Sequence, residues 1–258
     1  MFIYENKRFL SFWLKANKIP HPETNVFYNE SEAFEFLKTS AFPIVGKINI
    51  GASGSGVLIL KNISQATEYI KQAFSEKGLG KRVGPNLQKG NFVKRGLHYV
   101  LNPSDISKKI EKYKEIGNDR QSGFVILQEF IPHEFEWRVV RIGDSFFAHK
   151  KMVVHEKASG SLIKNYDNPP LSLLDFVKEI TDKHNFRSQA IDIFEHQKKY
   201  LVNEMQCIFG QSDDYQMKVN GVVGRYIFSY GKWIFEEGNF NTNQCFDLRL
   251  QWVLSRFE

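Results

Sequence analysis

The chain has 258 residues, of which 42% are hydrophobic and 25% charged, with a formal net charge of +6; that balance excludes a disordered or fibrous protein and suits one large domain or two small ones. Its longest apolar runs fall short of the roughly 20 residues that a membrane-crossing helix needs. The two cysteines, Cys207 and Cys245, form no CxxC, and no Cys/His cluster has zinc spacing.

The N-terminal "MFIYENKRFLSFW" has neither the apolar core nor the cleavage site of a signal peptide, so a cytoplasmic protein is expected. Residues 6–18 place Phe9, Leu10, Trp13 and Leu14 at helical spacing. "IPHP" then extends the chain. "TNVFY" reads as a short strand, and "SEAFEFLKT" as a helix capped by Ser31. Two apolar strands follow at about 44–60, joined by the small-residue loop "GASGSG". A helix over about 64–76 is expected to close at Gly78.

Residues 78–96 are rich in Gly and Lys and lack periodicity; a loop or a pair of short strands is expected. Much of the positive excess lies between Lys77 and Lys114, which suits a solvated surface, an anionic substrate or, least of the three, nucleic acid. "NPSDISKKIEKYKEI" reads as a helix capped by Ser104, and "GFVILQEFI" as a buried strand. "EWRVVRIG" and "SFFAHKKMVV" form a hairpin around Gly143 and Asp144. A helix, "LSLLDFVKEITDKHN", precedes a second hairpin, "SQAIDIFEH" with "KKYLVNEMQ". A third hairpin turns at Tyr230 and Gly231, and a short amphipathic helix, "FDLRLQWVLSRF", comes last. The expected division is 1–125, the first helix with a small lid-bearing subdomain, and 126–258, a subdomain with the second hairpin, an extra hairpin and a helix. A cleft between two such halves is a common place for a ligand.

Three groups of residues carry chemistry. Asp192 and Glu204 are 12 residues apart in the second hairpin, a spacing that lets the strands pair and the carboxylates meet. Gln206 shares a sheet face with Glu204. Two carboxylates and an amide oxygen suit Mg2+ or Mn2+; the same residues also suit the ordinary polar face of a hairpin. The strand "VILQEFI" leaves through Pro132 and offers backbone groups to an adenine edge, with Glu136 placed for ribose hydroxyls. Lys47 sets a point charge beside a loop, Ser53, Gly54 and Ser55 among its residues, whose N–H groups suit phosphate. That loop joins strand to strand, so it is neither a Walker loop nor a dinucleotide fingerprint; a plain hairpin tip would look the same.

Taken in order, "NK" at 6–7 with "IPHPET" at 19–24, "FPIVGK" with "GASGSGV", "LQEFI" with "EWRVVRIGD", and "AIDIF" with "LVNEMQ" resemble the ATP-grasp superfamily, especially its ribosomal-protein-S6-modification-like carboxylate–amine ligases. The resemblance covers roughly residues 5–210 and implies an α+β fold of two subdomains with ATP held between antiparallel sheets. Its residue assignments are Lys7 and Lys47 on ATP phosphates, Ser53, Gly54 and Ser55 in the lid, Gln128, Glu129, Phe130 and Ile131 on adenine, and Glu136 on ribose. Arg138 and Lys151 fall near the transferred phosphoryl group or the substrate, and Asp192, Glu204 and Gln206 on Mg2+.

The family usually has Asn where Gln206 stands, and usually begins with a further N-terminal domain, which the resemblance leads one to expect here as absent, supplied by a partner or lost. Residues 215–258 match no family pattern. The implied activity is ATP-dependent amide formation through an acyl phosphate, from small anionic carboxylate and amine substrates, such as an amino acid joined to a sugar acid. A kinase acting on a hydroxyl, and a nucleotide- or nucleic-acid-binding module without turnover, are the alternatives. No membrane is expected as a partner, nucleic acid is not favoured, and a homodimer is one open assembly.

Overall fold

The chain is described here from a computed structural model covering residues 6–51, 56–80, 105, 111, 119–154, 157–158, 163–209 and 213–257. It opens with helix α1 (Lys7–Ala16), whose start is set by Asn6: the side chain accepts from the Phe9 N–H at 3.0 Å. The chain forms two units, one of Glu23–Phe130 and the other of Met1–Pro22 with Ile131–Glu258. This differs from a single cut after residue 125, because Leu10 and Leu14 of α1 are buried in the core of the larger unit.

The smaller unit comprises β1 (Thr24–Phe27), α2 (Glu30–Thr39), β2 (Ile44–Lys47), β3 (Val57–Leu60), α3 (Ile63–Phe74), β4 (Leu79–Gly80), β5 (Arg120–Gln121) and β6 (Val125–Glu129). Four strands make an antiparallel sheet in the order β1-β6-β2-β3, and β4 pairs with β5. Ala33 and Leu37 of α2 and Ala66, Tyr69, Ile70 and Ala73 of α3 share a core with Ile44, Leu60, Val125 and Leu127. Asn29, rather than Ser31, caps α2, because its side chain accepts from the Ser31 N–H at 2.8 Å. Asn62 caps α3 in the same manner, and that helix ends at Phe74 with Ser75 as its C-cap; Gly78 turns the chain three residues later at φ +59°. The helix expected after Ser104, and all of the basic segment except Lys77, fall outside the described residues apart from isolated positions.

The larger unit adds β7 (Phe135–Ile142), β8 (Ser145–Val154), β9 (Lys157–Ala158), β10 (Lys164–Asn165), α4 (Leu171–Lys183), β11 (Ser188–His196), β12 (Lys199–Gln206), β13 (Lys218–Val219), β14 (Val222–Ser229), β15 (Lys232–Glu237) and α5 (Phe246–Leu254). The main path of its sheet runs β12-β11-β7-β8-β14-β13, with β9 and β10 on β8 and β15 on β14. Alternation along the strands makes one face apolar, with Trp137, Val139, Ile191 and Ile193 all buried. Helix α4 covers that face: Leu173, Leu174 and Val177 join its core, and the Arg141 guanidinium donates to the Thr181 hydroxyl at 2.6 Å. Among the described residues no helix is long and apolar enough to cross a membrane.

Helix α5 departs from the expected amphipathic pattern. Leu248 packs on the core, but Phe246, Leu250, Val253 and Leu254 stay exposed. Its anchor is Trp252, whose ring lies over Gly143 in the β7–β8 turn. Gly143 has φ +57°, and a Cβ there would overlap that ring. Gly143→Ala is expected to destabilise the protein by ~1–3 kcal/mol through overpacking and backbone strain. Trp252→Ala should suppress part of that loss, so denaturant titration of both single variants and the pair should show non-additivity above ~0.5 kcal/mol.

Candidate functional site

The polar face of the larger sheet brings the predicted charges together. Asp192 on β11 lies directly opposite Glu204 on β12 and Arg138 on β7, and Arg138 lies opposite His149 on β8. One row across four strands therefore reads Glu204, Asp192, Arg138, His149. Glu136 and Lys151 form the adjacent cross-strand pair. The hairpin spacing read from Asp192 to Glu204 is realised as this pairing, and Gln206, opposite Ala190, faces the same side.

Side-chain contacts join these residues into one network. Arg138 grips Asp192 with two hydrogen bonds, Nε to Oδ1 at 2.8 Å and Nη2 to Oδ2 at 2.9 Å. Its Nη2 also donates to Gln206 Oε1 at 3.2 Å. Lys151 Nζ donates to Asp192 Oδ2 and to Glu136 Oε2, each at 2.8 Å. Burial alone would raise the Asp192 carboxyl, but Arg138 and Lys151 outweigh it and hold the group well below the usual carboxylate range. Burial alone would lower Lys151; its two carboxylate partners instead raise it, so it stays charged. Lys7 reaches this face from α1, with its Nζ 3.8 Å from Glu204 Oε1. That oxygen is buried and has no hydrogen-bond partner among the described residues.

The residues assigned to adenine and ribose are engaged in other ways. Gln128 is buried, and its side chain donates to Thr24 Oγ1 at 2.8 Å. The Glu129 N–H donates to the Glu23 carbonyl, and the Glu129 carboxylate accepts from the Glu23 N–H. Phe130 and Ile131 stand on either side of the division between the units, and the Ile131 carbonyl faces His133 Nδ1 at 2.6 Å. Glu136 is buried, with one oxygen on Lys151 and the other accepting from Asn203 Nδ2 at 3.1 Å. Lys47 ends β2 with its side chain buried, paired in register with Val57 and Ile126. Ser53, Gly54 and Ser55 lie outside the described residues.

Two residues of this face escaped the sequence reading. Asn203 reaches Glu136 because the β11–β12 ladder shifts register after Asp192, leaving Asn203 as an extra residue against the partner strand. Alternation by two cannot reveal such a bulge. His149 was within reach, since it stands two residues before Lys151 and so shares its face. It is buried, and its Nδ1 lies 3.0 Å from the Gln216 carbonyl. Because a carbonyl only accepts, Nδ1 carries the proton and Nε2 keeps its lone pair. Burial, with Arg138 and Lys164 nearby, pushes the imidazole down to about 3, so it is neutral at physiological pH.

A divalent cation can be weighed against this donor set. Among the described residues no three His, Cys, Asp or Glu side chains are grouped as metal ligands. The available donors are two facing carboxylates and one amide, the hard oxygens that Mg2+ takes together with phosphates. The orphaned Glu204 oxygen fits such an ion, whereas both Asp192 oxygens are already held by cations.

No protein-family model matches the chain. Phosphoribosylamine–glycine ligase of Clostridium acetobutylicum is 36% identical over 81 residues, 30% of this chain and 20% of that protein. The solved structures it resembles include a RimK domain ATP-grasp protein of Sphaerobacter thermophilus, at 16% identity and a TM-score of 0.48, over 79% of this chain and 59% of that one. They also include the biotin carboxylase domain of Hydrogenobacter thermophilus 2-oxoglutarate carboxylase, solved with MgADP, at 13% identity and a TM-score of 0.52, over 81% of this chain and 41% of that one. The chain thus spans little more than half the length of the first of these structures and a fifth of the ligase. With antiparallel sheets and flanking helices in each of two α+β units, the chain is similar in fold to this biotin carboxylase domain.

Proposed function

We propose that the chain is an ATP-dependent carboxylate–amine ligase whose phosphoryl chemistry takes place on the polar face of the larger sheet. The observation that carries this reading is the row of Glu204, Asp192 and Arg138, with Lys7, Lys151, Glu136 and Gln206 beside it. Three cations and three carboxylates on one face form a preorganised field of the kind that phosphoryl transfer uses.

In the proposed reaction a substrate carboxylate oxygen attacks the γ-phosphorus of ATP. The bond to the bridging oxygen breaks, giving an acyl phosphate and ADP. An amine then attacks the acyl carbon, phosphate leaves and an amide remains. Lys7 and Arg138 offset charge on the transferred phosphoryl oxygens. Lys151, buried between Glu136 and Asp192, holds the carboxylates that orient Arg138. Glu204, Gln206 and Asp192 would hold Mg2+, which supplies Lewis-acid neutralisation of the phosphates. In the smaller unit, Lys47 is proposed as a phosphate ligand, with the strand ending in Gln128, Glu129 and Phe130, and Ile131 after it, toward adenine. Since Glu136 already has two partners, its role toward ribose requires it to exchange one of them. The substrates that suit a basic chain of this kind are a small anionic carboxylate, such as a sugar acid, and an amino acid.

ADP release measured over pooled carboxylates and amines tests the reaction class. Release that needs both pools is expected; release with a hydroxyl acceptor alone would indicate a kinase instead. Glu204→Ala should lower Mg2+-dependent ADP release by at least ~100-fold. The variant should still fold, because Lys7 and Glu204 make only a long contact of 3.8 Å with side chains 10% and 22% exposed, and its loss should cost on the order of 1 kcal/mol. Full turnover by the folded variant would remove Glu204 from the reaction. Gln206→Asn keeps an amide oxygen and should stay within ~10-fold of wild type, while Gln206→Leu should lose more. Equal rates for these two variants would leave Gln206 as a strand residue only.

A further inference from the structure

The guanidinium of Arg138 holds the two oxygen donors that the metal assignment pairs. Its Nη2 bridges Asp192 Oδ2 at 2.9 Å and Gln206 Oε1 at 3.2 Å, and its Nε takes Asp192 Oδ1. We propose that Arg138 is a tethered stand-in for the divalent cation, occupying its oxygens until the cation displaces it and frees the guanidinium for the anionic substrate. The proposal deepens the ligase reading and rests on it for the identity of the ligand.

Geometry and charge both support an exchange rather than co-occupancy. A guanidinium has donors only, so it cannot share an oxygen lone pair with a metal ion, and it repels one at short range. Asp192 Oδ2 accepts from both Arg138 and Lys151 and Oδ1 accepts from Arg138, so three of the carboxylate's roughly four lone-pair sites are taken by cations. Of the two cations, Arg138 is the one able to leave. Its side chain is 17% exposed, against 7% for Lys151, which is also tied to Glu136.

The face is charge-balanced as it stands: Glu136, Asp192 and Glu204 meet Lys7, Arg138 and Lys151. A divalent ion alone would leave an excess of two positive charges. A bound nucleoside triphosphate brings the negative charge that offsets them. Metal binding is therefore weak by itself and strengthened by nucleotide, and the freed guanidinium is the cation left to pair with the added negative charge. Glu204, whose buried Oε1 accepts no hydrogen bond among the described residues and has only Lys7 Nζ at 3.8 Å, is the donor open to the incoming ion before Arg138 moves.

The test is Mn2+ binding, read from the free-ion electron paramagnetic resonance signal, for wild type and Arg138→Gln, each with and without a non-hydrolysable ATP analogue. Removal of one unit charge at short range should let Arg138→Gln bind Mn2+ at least about tenfold more tightly than wild type when no nucleotide is present. Wild type should gain affinity on addition of the analogue. Equal or weaker Mn2+ binding by a folded Arg138→Gln protein would overturn the exchange while leaving the metal assignment standing. No Mn2+ on either protein, even with the analogue, would overturn both.

Should Arg138→Gln fail to fold, wild type still decides the matter. The Arg138 Nε–Hε resonance, assigned by its loss in the charge-conserving Arg138→Lys protein, should shift when Mg2+ is added to the analogue complex, as the bond to Asp192 Oδ1 is lost. An unmoved resonance at saturating Mg2+ would overturn the proposal.

Discussion

The buried carboxylate of Asp192 is the constraint around which the larger unit is organised. A carboxylate removed from water is costly unless it is paired and hydrogen-bonded. Here both oxygens are satisfied by side chains from two neighbouring strands, Arg138 from β7 and Lys151 from β8. Removing one partner would leave buried charge uncompensated, which is far more damaging than losing an exposed ion pair. The network thus ties β11 to β7 and, through Lys151, to β8, in a register that also sets the apolar side chains of these strands against α4.

The same arrangement gives this face its order, because each charged side chain of the network is held by at least one other. The bulge at Asn203 serves this order by adding a donor to Glu136 from a strand whose regular residues have the wrong spacing for it. Glu136 is thereby held on both sides, and Lys151 cannot shift without disturbing two carboxylates. Of the two cations on Asp192, Arg138 is the less buried, with its side chain 17% exposed against 7% for Lys151.

The C-terminal part of the chain joins the apolar core of this unit through Met217 and Cys245, with Val219, Phe240 and Leu248 packed against it, and polar contacts are added to that packing. His149 Nδ1–H donates to the Gln216 carbonyl, the Gln216 side chain donates to Asn241 Oδ1, and Cys245 Sγ lies 3.0 Å from the same oxygen. Asn241 Nδ2 reaches the Asp213 carbonyl, and the Asp213 carboxylate accepts from Lys164 and Tyr166. These buried groups are largely satisfied by one another, which fixes one geometry for the segment. Apolar attraction alone would not specify it, and α5 accordingly leaves most of its apolar side chains in solvent.

Among the described residues, the sequence by itself determined the helices, the longer strands, the three hairpins and the pairing of Asp192 with Glu204. Local rules suffice for these: helical spacing of Leu10 and Leu14, alternation along the strands, and the distance between two residues joined by a tight turn. The α2 cap at Asn29 was misplaced by two residues, because several cap-forming side chains stand together there and only the backbone selects one. What tertiary structure alone decided is long-range. The membership of α1 in the larger unit depends on which core its leucines find, and the register of β7 against β11 determines that Arg138 meets Asp192. The shift that turns Asn203 toward Glu136 is a property of two strands together. Whether a charged side chain is bound to a partner or open to a ligand follows from such registers, and no single segment contains that information.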